Sequence, residues 1–173
     1  IASEPPITAV AFAPDGESVI AASQSGLHIY DWPELKRQRT IECSAANLHC
    51  LAFSPATELL AVGGGDPSEN GSVEIFSWPA AERVTTLAGH EDSVRAVVWQ
   101  SSTRLMSASF DREISLWDIG RPTLTESLTR HERSRVRTFK GPSRSVSSLC
   151  LLKDGTILVS SGDDQAVRVW DVV

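Results

Sequence analysis

The sequence contains 173 residues, 41% of them hydrophobic and 22% charged, which is an ordinary balance for a folded globular protein. The formal net charge of −6 argues against a surface that binds nucleic acid in general, so nucleic acid is not an expected partner. No stretch approaches the roughly 18 apolar residues of a membrane helix, and the N-terminal IASEPPITAV lacks the features of a signal peptide, so we expect no membrane contact.

The cysteines, Cys43, Cys50 and Cys150, form no recognisable framework for disulfides or zinc. Their number is odd, the closest pair is seven residues apart, and no Cys-x-x-Cys motif occurs. This pattern predicts an intracellular protein, with the cytoplasm favoured and the nucleus left open. We expect no metal and no other cofactor.

Short runs of alternating apolar and polar residues, separated by turn formers, predict a nearly all-β chain. In chain order, four copies of one two-stranded unit align: ITAVAFAPDGESVIAAS, LHCLAFSPATELLAVGG, VRAVVWQSSTRLMSAS and VSSLCLLKDGTILVSS. Each copy continues into a third strand with an aromatic residue, at Tyr30, Phe76, Trp117 and Trp170. These aromatics are 46, 41 and 53 residues apart, which suits one four-stranded sheet per copy and one enlarged linker.

A fourth strand is predicted in each of the first three copies, ending at Ile41, Leu87 and Phe139. The last copy stops after its third strand. The four copies are therefore predicted to span residues 7–41, 48–87, 94–139 and 146–173, with an insertion at about 120–134 in the third copy.

The third copy carries the most specific motif, GHEDSVRAVVW followed by SASFDREISLWD. In this motif Gly89, His90, Asp111, Trp117 and Asp118 resemble the signature of a WD40 repeat, and the pattern covers essentially the whole chain. The first two copies are degenerate. The resemblance implies an all-β chain of about four β-propeller blades, each a four-stranded antiparallel sheet except the last, which lacks its outer strand. Such a chain is a half-propeller or a fragment of a larger propeller.

A Ser, a His and an Asp in the third copy raise the choice between a catalytic triad and a structural brace. A serine hydrolase needs an exposed Ser beside an oxyanion hole, and no residues near Ser107 supply one. The spacing also recurs in the fourth copy, which a single active site does not explain. We therefore expect no enzyme. The resemblance implies a hydrogen-bonded brace made of His90, Ser107, Asp111 and Trp117 in the third copy and Ser160, Asp164 and Trp170 in the fourth.

The fourth copy has Gly141-Pro142 where the family has Gly-His. Its brace therefore either lacks a His or borrows His131, since LTRHERSRV resembles LAGHEDSV with one residue more. The favoured interpretation places His131 in the insertion, because TFKGPSRSV fits the linker pattern without a gap.

A basic segment interrupts the acidic chain between Arg130 and Arg144. It holds six Lys or Arg and one Glu, a local charge of +5 that leaves −11 for the remainder. We interpret it as a solvated loop and an edge strand protected from sheet pairing. An acidic protein surface is the alternative partner. Nucleic acid is the least favoured, because Phe139 is the only aromatic residue available to stack a base. The basic residues are Arg130, Arg133, Arg135, Arg137, Lys140 and Arg144.

The resemblance implies a non-catalytic scaffold for protein–protein interaction, because WD40 propellers mostly present loops and strand ends to proteins or peptides. In the family, partners often dock on one face, at three positions in each repeat. Arg95 and Phe110 are the strongest candidates, since Arg and aromatic residues dominate binding hot spots. Carried over, the three positions are Thr8, His49, Arg95 and Ser147, then Pro6, Asn47, Ser93 and Ser145, then Phe110 and Asp163.

Two other functions stay open. The chain is expected to self-associate if its main task is structural, because propellers of this type close with about seven blades and four would leave the ring open. It would then complete a larger propeller as a homodimer or with blades absent from this chain. Alternatively, it is a regulatory propeller region attached to a catalytic domain outside this sequence.

Overall fold

The computed structural model describes residues 5–55, 58–120, 134–152 and 155–172, and the regular elements in these ranges are all β-strands. Blade one contains β1 (Ile7–Phe12), β2 (Ser18–Ser23), β3 (Gly26–Asp31) and β4 (Arg37–Ile41). Blade two contains β5 (Leu48–Phe53), β6 (Leu59–Asp66), β7 (Asn70–Ser77) and β8 (Arg83–His90). Blade three contains β9 (Val94–Trp99), β10 (Arg104–Ser109), β11 (Glu113–Asp118) and β12 (Ser134–Lys140). Blade four contains β13 (Val146–Leu152), β14 (Ile157–Gly162) and β15 (Val167–Asp171).

Each blade is an antiparallel meander in which the strands neighbour one another in chain order. Turn-forming residues make these reversals possible: Gly16, for example, adopts a φ of 71° between β1 and β2, a conformation that favours glycine. The first three sheets have four strands and the last described sheet has three. The predicted all-β partial propeller is therefore confirmed.

The blades pack face to face, and their inner strands β1, β5, β9 and β13 lie side by side in that order. One hydrophobic cluster fills each of the three gaps between neighbouring blades. Phe76 belongs to the cluster shared with blade one and its neighbour Ile75 to the cluster shared with blade three. Successive side chains of a strand point to opposite faces, so a blade with a neighbour on each side is apolar on both faces. The row of four blades does not close into a ring.

Every inner strand contains a β-bulge at its second residue. In blade one, Ile7 and Ala9 face Ser23 and Ala22, which are consecutive on β2, so Thr8 is the extra residue. The same shift occurs on β5, β9 and β13. A bulge takes one residue out of the regular ladder and redirects its side chain. The repeated bulge therefore places one redirected side chain at the same level of each blade.

Candidate functional site

The four bulged residues are Thr8, His49, Arg95 and Ser147, the first group that the sequence analysis assigned to partner binding. Their blades are neighbours, so these side chains follow one another across one face of the molecule. The bulge supplies a physical reason for this position, because it re-aims a side chain at the rim of a sheet. Thr8 and Ser147 direct their hydroxyls to backbone carbonyls, of Leu48 over 2.6 Å and of Ser161 over 3.4 Å.

The other predicted contact residues lie beside this row. Phe110 N donates to Ser93 O over 3.1 Å, and Asp163 N donates to Ser145 O over the same distance in blade four. These bonds attach the turn before the third strand to the residue just before the inner strand. Ser93 itself is buried, and its hydroxyl donates to Gly65 O over 3.0 Å, so its side chain faces the protein interior.

Arg95 joins blades two and three. Its guanidinium carbon lies 4.9 Å from the centroid of the Phe110 ring, and its Nη1 donates to His49 Nδ1 over 2.8 Å. The three side chains are each partly buried. Burial and the nearby Arg95 charge both lower the pKa of His49. The structure thus holds a cation in a fixed position between an aromatic ring and an imidazole.

His90 and Ser107 form the centre of a hydrogen-bonded chain in blade three. Trp117 Nε1 donates to Ser107 Oγ over 2.7 Å, and Ser107 Oγ lies 2.7 Å from His90 Nε2. His90 Nδ1 lies 2.6 Å from Asp111 Oδ2. An indole nitrogen only donates and a carboxylate only accepts, so Ser107 Oγ accepts from Trp117 and His90 Nδ1 carries a proton toward Asp111.

This chain has the connectivity of a catalytic triad but not its accessibility. Ser107 is 0% exposed, and Trp117 already donates to the oxygen that would have to act as nucleophile. A buried hydroxyl cannot meet a substrate carbonyl. The arrangement instead ties the loop before β9 to the turn between β10 and β11.

Asp111 anchors that tie through several donors. Its Oδ1 accepts from the amide of Glu113 over 2.8 Å, and its Oδ2 accepts from the amide of Glu91 over 3.0 Å. Burial raises the pKa of Asp111, but the hydrogen bond and charge of His90 and the two amides outweigh it and lower the pKa overall. The ionised carboxylate is therefore the form that the fold stabilises.

Blade four builds its version without a His in the described residues. Trp170 Nε1 donates to Ser160 Oγ over 2.8 Å, as in blade three. Asp164 Oδ2 accepts from the amide of Ser143 over 2.9 Å and pairs with Arg168 Nη2 at 2.7 Å. The Arg168 hydrogen bond, followed by the Ser143 amide, holds the pKa of Asp164 well below its usual range. His131, the alternative donor, lies outside the described residues, so that alternative stays a hypothesis.

Comparison with known proteins agrees with this architecture. A family model for the DDB1- and CUL4-associated factor 12 beta propeller matches residues 22–147, and a model for the WD domain, G-beta repeat, matches residues 133–171. The chain belongs to the WD40-repeat β-propeller family.

Curated WD40 relatives extend well beyond this sequence. The chain is 30% identical over 155 residues to the nuclear distribution protein nudF of Aspergillus niger, which covers 87% of the chain and 32% of that protein. It is 31% identical over 168 residues to the nuclear distribution protein PAC1 of Ajellomyces capsulatus, covering 77% of the chain and 36% of that protein. The chain thus spans about a third of the length of these relatives.

A solved structure, that of U3-55K, superposes with a TM-score of 0.78 at 23% sequence identity. The match covers 99% of this chain and 50% of that chain. At this level of identity the likeness shows the WD40 propeller fold alone.

The degenerate WD40 repeats of blades one and two contain buried polar networks that the sequence analysis missed. In blade one, His28 Nε2 lies 2.9 Å from Ser23 Oγ and 3.0 Å from Ser25 Oγ, while its Nδ1 lies 3.0 Å from Thr40 Oγ1. The available signal was a His between Leu27 and Ile29, because a polar residue within an apolar strand needs a partner when buried.

The network of blade two is built around Glu74, which is buried between Val73 and Ile75 on β7. Its Oε1 accepts from the amides of Ser44 and Ala45 over 2.7 and 3.0 Å, and its Oε2 lies 3.2 Å from Arg83 Nη1. Glu74 faces Thr86 on the outer strand, as His28 faces Thr40 in blade one. Each degenerate WD40 repeat thus replaces the brace by polar contacts from the middle of its third strand.

The basic segment is partly engaged within blades three and four. Arg137 stacks 4.6 Å over the Phe139 ring, and Lys140 lies 3.2 Å from Glu113 Oε1. The backbone of Arg135 on β12 faces that of Trp117 on β11. Arg144 is exposed. Arg130, Arg133 and the insertion from 121 to 133 lie outside the described residues.

Within the ranges that the structure describes, no group of three or more His, Cys, Asp or Glu side chains could hold a metal ion. No helix in these ranges is long and apolar enough to cross a membrane.

Proposed function

We propose that this WD40 region is a non-catalytic scaffold whose protein partner contacts the face of the bulged residues His49, Arg95 and Ser147, with Phe110 and Asp163 beside them. The observation that carries the proposal is the fixed position of Arg95, 2.8 Å from His49 Nδ1 and 4.9 Å from the Phe110 centroid. An Arg already ordered next to an aromatic ring loses little side-chain entropy on binding, which is typical of a hot spot. WD40 propellers generally bind other proteins, which supports this role.

The burial of the other polar clusters favours a scaffold over an enzyme. Ser107, His90 and Glu74 are all buried, and their hydrogen bonds are made within the blades. Polar groups that are satisfied internally rigidify a structure but are not available to a substrate. The bulged face is where partly exposed polar and aromatic side chains lie together.

An affinity pull-down with mass spectrometry tests the scaffold proposal. The variants Arg95→Glu and Phe110→Ala are compared with wild type and with Arg104→Glu, which carries the same charge change on the same blade. Arg104 is 48% exposed and begins β10 at the end opposite to Phe110. We expect proteins retained by wild type and Arg104→Glu to be lost from the two face variants. Retention of the same proteins by all four baits would contradict the proposal.

A second candidate function is assembly into a larger ring, and the exposed flanks of the outer blades favour it. Ile7 is 48% exposed, whereas its equivalents Leu48, Val94 and Val146 are at most 1% exposed. On blade four, Val167 is 72% exposed, although the equivalent Val73 is fully buried. In the middle of the row, the neighbouring blade covers the equivalent surface. The exposed flanks of blades one and four therefore have the chemistry of a blade-to-blade interface.

A second copy of the chain is the occupant we propose for these flanks. Head-to-tail contact of two copies about a two-fold axis buries both flanks of each copy and closes a ring of about eight blades. Light scattering over a concentration series tests this. A species near twice the chain mass of 18.7 kDa that dissociates only as it unfolds supports the dimer, whereas a stable monomer with a cooperative melt contradicts it.

A further inference from the structure

Arg95 is a partly buried basic residue that has no acidic partner among the described residues. Arg83, Arg104, Lys140 and Arg168 each lie within ion-pair distance of a carboxylate. Among the described residues, none places a carboxylate that close to Arg95; its contacts are His49 and the Phe110 ring. In a chain of net charge −6, an uncompensated and partly buried cation is the exception. The charge is therefore available to an external anion.

The carboxylates around this face are already engaged or do not reach it. Asp66 Oδ1 accepts from Asn47 Nδ2 over 3.2 Å. Asp92 Oδ1 accepts from the amides of Ser68 and Ser93 over 3.0 and 2.7 Å. The ion pairs of the described residues include none between Arg95 and Asp66, Asp92 or Asp163. These acids do not neutralise the guanidinium.

The bond between Arg95 and His49 fixes the state of the imidazole. A guanidinium has only donors, so His49 Nδ1 must accept and its proton must sit on Nε2. Burial and the Arg95 charge lower the pKa of His49, which agrees with a neutral ring. Nε2–H has no acceptor among the described residues. His49 thus supplies a second donor next to the cation without adding a charge.

We infer that the Arg95 site binds the side-chain carboxylate of an Asp or Glu on the protein partner; this deepens, and rests on, the proposed function. The remaining guanidinium N–H groups of Arg95 and the Nε2–H of His49 are donors, and planar N–H groups of Arg match the two oxygens of a carboxylate. The contact with Phe110 involves the ring face and consumes none of these N–H groups.

The charge of the site selects a carboxylate rather than a phosphate group. Arg95 provides one positive charge, and His49 is neutral. A phosphorylated residue carries about two negative charges and is usually bound by a cluster of Arg residues. Among the described residues, Arg95 is the only Arg for which the structure gives a contact with His49 or with the Phe110 ring. One cation and neutral donors match a single negative charge.

A random peptide library displayed on phage tests the inference, with the purified 173-residue chain as bait. Selected peptides are resynthesised with each Asp or Glu replaced by its amide, and with phosphoserine in the same place. Their dissociation constants are measured against wild type, Arg95→Gln, Phe110→Ala and the control Arg104→Gln. Thermal melts check that the three variants remain folded.

We expect the selected peptides to share one acidic residue whose amide replacement weakens binding by about tenfold or more. Arg95→Gln should weaken the acidic peptide equally and leave the amide peptide unchanged, whereas Arg104→Gln should affect neither. Peptides that require Phe110 but no acidic residue would overturn the inference and leave the scaffold proposal intact. Tighter binding of phosphoserine than of the acid would also overturn it. Peptides indifferent to both Arg95→Gln and Phe110→Ala, or no peptides at all, would count against the face itself.

Discussion

Ser107 and Ser115 lie directly opposite each other on β10 and β11, and both are 0% exposed, yet their hydrogen bonding differs. Ser107 Oγ bonds both His90 and Trp117 at 2.7 Å. Ser115 Oγ has no hydrogen-bond partner among the described residues. Two identical side chains in one register therefore make opposite contributions to the same blade, one completing a network and the other leaving a buried polar atom unpaired.

Replacement of each Ser by Ala measures this difference. Ser107→Ala should lower the free energy of unfolding by about 1–3 kcal/mol, because it leaves His90 and Trp117 without their shared partner. Ser115→Ala should leave stability unchanged or raise it slightly, since it removes an unsatisfied hydroxyl. Urea denaturation of both variants gives the comparison. Equal losses would mean that the brace contributes nothing specific, and a hydrolase activity abolished by Ser107→Ala in a folded protein would overturn its structural role.

The lowered pKa of Asp111 predicts a loss of stability in acid. The folded protein binds fewer protons at Asp111 than the unfolded chain, so the stabilisation is complete above the unfolded pKa of about 3.9 and disappears as pH falls through the lower folded value. Asp111→Asn should therefore be less stable than wild type at neutral pH and should lose less of its remaining stability below about pH 4.

Unfolding titrations at a series of pH values check this prediction. Asp118→Asn, which removes a 38% exposed carboxylate of the same blade, controls for the change in net charge. A wild-type acid profile that matches that of Asp111→Asn would remove Asp111 as its cause.

The three cysteines should differ in their reactivity toward alkylating reagents. Burial raises the pKa of both Cys43 and Cys50 to about 12, with Glu74 adding to the effect at Cys43. The thiolate is the reactive form, so these two thiols should react slowly in the folded protein. Cys150 is exposed and should be alkylated first. Mass spectrometry of peptides after timed iodoacetamide treatment ranks the three sites, with denatured protein as the control; labelling of Cys50 before Cys150 would contradict this order.

Trp32 and Trp78 occupy equivalent positions in blades one and two, but their surroundings differ. Trp78 is 6% exposed, and its ring centroid lies 5.3 Å from that of Phe53. Trp32 is 47% exposed, and its ring centroid lies 5.2 Å from that of Phe12. Trp78→Ala should cost about 3–5 kcal/mol of unfolding free energy, as expected for a buried Trp. Trp32→Ala should cost clearly less in a monomer, and should approach the Trp78→Ala value only where a second copy covers blade one. Denaturation at low and high protein concentration separates these cases.

Binding to nucleic acid, if it is detected, should be weak, sensitive to salt and confined to the segment from Arg130 to Arg144. Two of these side chains are already engaged, Arg137 with Phe139 and Lys140 with Glu113. Neutralising Arg133, Arg135 and Arg137 should abolish retention on DNA or RNA at low salt, because phosphate contacts supply nonspecific affinity. Unchanged retention would remove this segment as the cause, and tight sequence-specific binding at physiological salt would refute the prediction.

The sequence by itself determined the strands, their order and the partial propeller. Its alternating apolar residues repeat at a spacing that permits one meander per copy, and local pairing of consecutive strands needs no information from distant residues. The brace residues of blade three could also be predicted, because the WD40 motif is intact there. In the degenerate copies, the His28 and Glu74 networks could not be predicted from the motif, since both use residues that the WD40 signature does not contain.

Only the tertiary structure decided which side chains meet between blades. His49 and Arg95 are 46 residues apart, and their bond depends on two bulges that turn both side chains out of their ladders and on the packing of β5 against β9. Asp164 likewise accepts from the amide of Ser143, 21 residues earlier in the chain, because of the path of the linker before β13. Such contacts join residues distant along the chain, and their geometry follows from how whole sheets stack and not from the alternation of residues within one strand.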